Sequence, residues 1–228
     1  MNPSINDRSY GGEPAAERIR RRRASLLDVA LTAMAEDRWR SATVAGICAE
    51  AGLNKRYFYE SFPDLDALSS GVIDEIAEEV GGAAVATYLA SLDRPLDEQA
   101  RAAVDAVVGV LGTDRRKARV FLGGTAGAPI AHARRDDAIR GLTGILVDHA
   151  RAIHDVELEA DSLASTGPAF VIGGTAHTIL AWAEGTIDIT RRQLVEDITD
   201  LWLALGAKAA DIADARRSAP DAGRASQQ

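Results

Sequence analysis

The chain has 228 residues, 46% of them hydrophobic and 26% charged, with a formal net charge of −8. Its apolar runs are short, as at Ile145-Leu146-Val147, far below the roughly 20 residues that cross a bilayer, so no membrane partner is expected. A single cysteine, Cys48, excludes a disulfide framework and a cysteine-based zinc site. Asp28 and Glu36-Asp37 interrupt the stretch behind Arg20-Arg21-Arg22-Arg23, so no secretory leader is expected and a cytoplasmic address follows.

The charge is unevenly spread. Met1 to Phe62 holds ten basic and eight acidic residues, a net of +2, while Pro63 to Gln228 holds 16 and 26, a net of −10. A basic front with an arginine run on an acidic body is a first hint of nucleic-acid binding. Solvated surface charge alone could produce the same pattern.

Residues 1–16 contain Pro3, Gly11, Gly12 and Pro14 without apolar rhythm and read as a disordered arm. From Glu17 the apolar residues recur at three and four: Ile19, Leu26, Ala30 and Met34 share one helical stripe. Val44, Ile47, Cys48 and Ala51 predict a second helix, with Thr43 as its N-cap and Gly52 as its stop. Asn54 caps a third short helix, which Pro63 ends. Asp64 caps a fourth, striped by Leu65, Leu68, Val72, Ile76 and Val80 and interrupted at Gly81-Gly82.

Ala100, Val104, Val107 and Leu111 mark a fifth helix, and Phe121-Leu122 closes a short sixth. Gly123 to Pro129 reads as a loop. Ile139, Leu142, Leu146, His149 and Ile153 stripe the next helix. A further one carries Phe170, His177 and Trp182, starts or kinks at Gly167-Pro168, and ends at Gly185. Thr190-Arg191-Arg192-Gln193 fits a capping box before Leu194, Ile198, Leu201 and Leu205. Residues 208–228 lose the rhythm and read as a flexible tail. The expected fold is all-α, with about nine helices.

The pair of short helices around Ala51-Gly52-Leu53 is a helix-turn-helix candidate. On a wheel at about 100° per residue, Phe58 and Phe62 point inward and Arg56 and Glu60 outward, with Tyr57 and Tyr59 beside them. Arginine can pair bidentately with guanine, phenols reach phosphates or thymine methyls, and free N–H groups at a helix start favour phosphate. Such a face suits a recognition helix in the major groove.

These residues carry a family resemblance. Arg21 to Ile76 resembles the N-terminal domain of the tetracycline-repressor (TetR) family of bacterial transcription regulators. The likeness rests on Thr43-Val44, Ile47-Cys48, Ala51-Gly52-Leu53, Lys55, Phe58-Tyr59, Phe62-Pro63 and Leu68. It implies that Thr43, Lys55 and Tyr59 touch phosphates and that Arg56 and Tyr57 read bases; Asn54, the cap of the recognition helix, is counted with them as a DNA-binding residue. Arg56 departs from the small residue usual in the family, and Leu65 from a frequent lysine. The Arg20–Arg23 run could compensate for that lysine by reaching the backbone or minor groove from the arm.

The resemblance also implies division of labour. Residues 17–63 would bind a double-stranded DNA operator, and residues 64–207 would bind an unknown small-molecule effector and form a homodimer. Trp182, Leu194, Ile198, Leu201, Trp202 and Leu205 are the expected dimer residues. Phe121, His149, Phe170 and His177 are the candidate pocket lining, and Gly81-Gly82 the candidate pivot between the two parts. Control by a protein partner, and an all-helical binding protein or enzyme without DNA contact, are the alternatives. The four histidines lack a metal-ligand spacing, and no catalytic triad, phosphate loop or nucleotide fingerprint is present, so neither metal, cofactor nor enzymatic activity is expected. Cys48, on the inward stripe, reads as core.

Overall fold

The computed structural model describes residues 14–154 and 162–218, without the side chains of 142, 143, 145–154, 164, 165, 217 and 218. The helices are α1 (Ala15–Ala35), α2 (Val44–Glu50), α3 (Lys55–Ser61), α4 (Leu65–Leu89), α5 (Leu96–Thr113), α6 (Arg115–Ala118), α7 (Pro129–His154), α8 (Leu163–Ala183) and α9 (Arg191–Ser218). A 3-10 turn at Trp39–Ser41 joins α1 to α2, and a π turn at Arg119–Gly123 extends α6. Among the described residues there is no strand.

Local chemistry sets the first boundaries. The Thr43 hydroxyl accepts from the Gly46 N–H at 3.1 Å, and the Asn54 Oδ1 accepts from the Tyr57 N–H at 3.1 Å. Asp64 Oδ1 accepts from the Ala67 N–H at 2.7 Å. Each satisfies a backbone donor that the helix cannot, an effect usually worth about 1 kcal/mol. Gly52 turns the chain between α2 and α3 at φ +65°, a left-handed conformation that glycine enters without steric cost. Phe62 leaves α3 with φ −141° and ψ 134°, the extended geometry that a following proline imposes. At α9, Thr190 and Gln193 form the expected reciprocal box: the Thr190 N–H donates to Gln193 Oε1 at 3.1 Å, and the Gln193 N–H donates to Thr190 Oγ1 at 3.2 Å.

Packing joins these helices around one continuous core. Leu26, Leu27, Ala30 and Met34 of α1 meet Ile47, Cys48, Phe58 and Phe62 of the helix-turn-helix. The same cluster continues through Leu68, Val72, Ile76 and Val80 of α4 to Val104, Val108 and Leu111 of α5, then to Ile179, Leu194 and Ile198. α4 therefore links the first helices to the later ones, packing on α1, α5 and α7, while α9 packs on α5 and α8. Burial raises the Cys48 thiol above its usual range, which suits a core residue. Trp182 donates from Nε1 to the Ile189 carbonyl at 2.9 Å. Its ring presses on Gly112, where a Cβ would stand 2.7 Å from the indole.

Several boundaries differ from the sequence expectation. α1 begins at Ala15, two residues before the expected start at Glu17, and residues 1–13 lie outside the described residues. α4 runs unbroken through Gly81-Gly82 to Leu89. Two glycines cost a helix about 1 kcal/mol each relative to alanine, and the packing of α4 against α5 and α7 outweighs that. α8 starts at Leu163, with Pro168 inside its first turns. α9 continues to Ser218, so most of the expected tail is helical, and 219–228 lie outside the described residues.

Candidate nucleic-acid interface

Helix α3 sits on the outside of the first three helices because Phe58, fully buried, and Phe62, 3% exposed, anchor its inner face. The Phe58 ring meets Tyr59 edge-on at 5.4 Å and Phe62 at 6.2 Å between centroids. Edge-to-face contact of this kind adds to the area buried. The opposite face carries Lys55, Arg56 and Tyr59, all exposed; the Arg56 side chain is 83% exposed. Thr43 is exposed at the start of α2, its oxygen occupied by the Gly46 N–H and its O–H proton able to donate outward.

Tyr57 differs from the rest of this set. It is half-buried, with the Arg22 guanidinium stacked over its ring at 3.9 Å. Arg23 similarly covers Phe62 at 4.4 Å. These two arginines lie back on the helix-turn-helix, while Arg20, paired with Glu17, and Arg21 stay exposed on α1. Leu65 is partly buried against the core.

Glu60 is the residue whose role the sequence reading missed. Its Oε1 accepts from Arg56 Nε at 3.1 Å, and its Oε2 lies 3.7 Å from Arg22 Nη2. The i, i+4 spacing of Arg56 and Glu60 makes their pairing legible in the sequence. Arg22, 38 positions upstream of Glu60, comes into range only through the packing of α1 on α3.

Charged groups also connect the first helices to the rest. Arg116 donates to Asp28 Oδ1 at 2.9 Å and to the Thr32 hydroxyl at 2.6 Å, both on α1, while holding Asp114 at 2.7 Å. Hydrogen bonding from Arg116 lowers the Asp114 carboxyl below its usual range, and Asp114 in turn raises the guanidinium. Arg119 reaches Asp37 at 2.8 Å.

The expected pocket residues are not brought together. Phe121 is buried in the π turn at 2% exposure, whereas Phe170 on α8 is 70% exposed and His177 is also exposed. These three do not line one enclosed cavity, and the His149 side chain lies outside the described residues. An open hollow of about 800 Å³ lies instead between α5 and α9. It is lined by Arg94, Arg101, Arg191 and Arg192 against Glu98, Asp105 and Glu196. Arg191 there pairs with Asp105 at 2.7 Å and Arg192 with Glu196 at 2.8 Å.

The expected dimer residues divide. Leu194 and Ile198 are 0% and 3% exposed, filling the chain's own core rather than an outer seam. Trp182 and Trp202 are half-buried, and Trp202 Nε1 donates to Thr175 Oγ1 at 2.8 Å. Leu201 and Leu205 face outward, at 60% and 38% exposure.

No family model matches the chain, and no curated protein matches it by sequence. Solved structures do. The fatty acid degradation regulator FadR from Bacillus halodurans superposes with a TM-score of 0.64 at 16% identity, over 80% of this chain and 94% of its own. A TetR-like transcriptional regulator from Rhodococcus sp. RHA1 gives 0.63 at 17% identity, over 86% of this chain and 97% of its own. FadR from Bacillus subtilis, solved in complex with stearoyl-CoA, gives 0.61 at 15% identity, over 78% and 96%. The all-helical fold of this chain is the fold of these regulators.

Proposed function

With that fold as the premise, we propose that the chain is a sequence-specific DNA-binding transcriptional regulator of the TetR type, a repressor released from its operator by a small molecule. The observation that carries the reading is the outer face of α3, where Lys55, Arg56 and Tyr59 stand exposed above an anchored aromatic base. The free N–H groups at its start and the flanking Thr43 hydroxyl suit phosphate, and Arg56 suits a guanine edge. Residues 17–63 form the DNA-binding part and 64–207 the effector and dimer part. Two copies, joined through α8 and α9, would present two α3 helices to the half-sites of a near-palindrome. Exposed Phe170, Leu201 and Leu205 support that face as the joining surface.

The ligand site belongs to the body, and the stearoyl-CoA held by Bacillus subtilis FadR makes long-chain acyl-CoA the first compound to try. A ligand releases DNA only by binding the released form more tightly; a coupling of about 1–3 kcal/mol lowers operator affinity about 5- to 150-fold. The Arg116 clamp on Asp28 and Thr32 is a physical link through which the body can bias α1.

The test is retardation of the DNA upstream of the chain's own gene across a salt series. Binding falls steeply with salt where Lys55 and Tyr59 hold phosphates. Arg56→Ala costs about 1–3 kcal/mol and relaxes preference at one base position. Unchanged preference in that variant removes Arg56 from the role of base reader.

A further inference from the structure

Arg56 stands 83% exposed in its side chain on the outer face of α3, and a free arginine side chain samples many rotamers. Here Glu60 limits that freedom. Its Oε1 takes the Arg56 Nε–H at 3.1 Å. With Nε engaged, the two terminal nitrogens of the guanidinium are the edge left to offer an acceptor pair such as guanine O6 and N7.

Glu60 is itself held. Its second oxygen lies 3.7 Å from Arg22 Nη2. Arg22 is only 19% exposed in its side chain, stacks on Tyr57 at 3.9 Å, and donates from Nε to the Arg18 carbonyl at 3.2 Å. One carboxylate thus stands between two guanidiniums, one fixed on α1 and the other facing outward. A carboxylate on a DNA-facing surface repels phosphate, so its presence lowers affinity for every sequence.

Resting on the DNA-binding reading above, we propose that Glu60 is a specificity-determining residue, orienting Arg56 for one base-pair step at the expense of general affinity, and that Arg22 is the positioning residue that fixes Glu60. Glu60 need not touch the bases for this. An exposed pair of this spacing has a small energy, so the expected change in discrimination is about two- to fivefold, not the larger loss that follows removal of Arg56.

The experiment uses the full chain and the duplex that the wild type selects from a random-sequence pool. Affinities are compared for that duplex and for variants at each base pair of one half-site. Glu60→Gln is expected to bind all duplexes more tightly and to discriminate about two- to fivefold less at the position that Arg56→Ala relaxes. In an Arg56→Ala background, Glu60→Gln should still tighten binding but leave discrimination unchanged. Arg22→Lys, which keeps the charge and loses the planar stack, should lower discrimination at the same position with an unchanged melting temperature. Tighter binding with unaltered discrimination in Glu60→Gln would mean that the carboxylate only repels phosphate, and the proposal would be overturned. The same holds if Glu60→Gln erodes discrimination equally with and without Arg56. A wild-type chain that selects no duplex overturns the DNA-binding reading itself, whereas the other two failures leave it standing.

Discussion

In the helix-turn-helix region, α1 to α3 turn Leu26, Leu27, Leu31, Phe58 and Phe62 inward, and the outer face of α3 is left to Lys55, Arg56 and Tyr59. In α8 and α9 the inward residues are Ile179, Leu194, Val195 and Ile198, yet Phe170, Leu201 and Leu205 remain on the outside. The same 3.6-residue rhythm builds both regions. What differs is the chemistry of the face left over: cations and phenols in the first, aliphatic and aromatic carbon in the second. A polar outer face is complete in water and available to an anion, whereas an exposed apolar face gains by meeting another. The two ends of the chain are therefore suited to partners of opposite character.

The sharpest way to break this comparison is to empty the first core. Phe58→Ala removes a fully buried ring and should cost about 3–5 kcal/mol. Denaturation followed by circular dichroism should then show a lowered midpoint, with DNA retention lost. A single transition with unchanged midpoint would mean that the head does not depend on that anchor.

Next in size is the apolar outer face. Leu201→Glu places a charge at a side chain 60% exposed in the single chain. If α8 and α9 join two copies, sedimentation should show the variant as a monomer where the wild type is a dimer, a loss of about 2 kcal/mol or more for an anchor position. A wild type that sediments as a monomer at micromolar concentration would sink the dimer.

A smaller effect tests the DNA face. Thr43→Ala deletes the cap that Gly46 uses and should lower thermal stability by about 1 kcal/mol. If Thr43 holds a phosphate as proposed, the variant should also weaken retention of all duplexes alike, since such a contact carries no sequence information.

The smallest concerns the link between the regions. Arg116 lowers the Asp114 carboxyl, so that group's folded value lies below its unfolded value, near 3.9. The unfolded chain then binds the proton first. The stabilisation is complete above about pH 4 and is lost as pH falls through the lowered folded value. The stability difference between wild type and Asp114→Asn should accordingly be constant above pH 5 and shrink below pH 4, as read by urea denaturation. A difference that grows on acidification would reverse the assigned sign.

What was legible in the sequence was the local chemistry. Thr43, Asn54, Asp64 and the Thr190–Gln193 pair act within one turn of their own position, and each forms the predicted bond. Helical rhythm likewise placed Phe58 and Phe62 inward. The rhythm misled at α9 for a geometric reason. Leu194, Ile198, Leu201 and Leu205 share one stripe, and a wheel shows angle around the axis but not position along it. Leu194 and Ile198 are covered by the rest of the chain and Leu201 and Leu205 are not, although α8 still meets the helix at Trp202, whose Nε1 donates to Thr175. Gly81-Gly82 misled because a propensity cost is visible in sequence, while the tertiary packing that exceeds it is not. Arg22 was read as part of a charge run because its two partners, Tyr57 and Glu60, lie on a different helix.

The distribution of the three tryptophans has an optical consequence. Trp39 is 5% exposed in the turn between α1 and α2, while Trp182 and Trp202 belong to α8 and α9. Replacing the latter two with phenylalanine leaves one indole fluorophore in the chain, sealed in the part that carries α3. Its emission wavelength then reports the solvent seclusion of that part alone. A compound bound in the body and felt at Trp39 would reveal communication between the two ends in a cuvette, without any nucleic acid present.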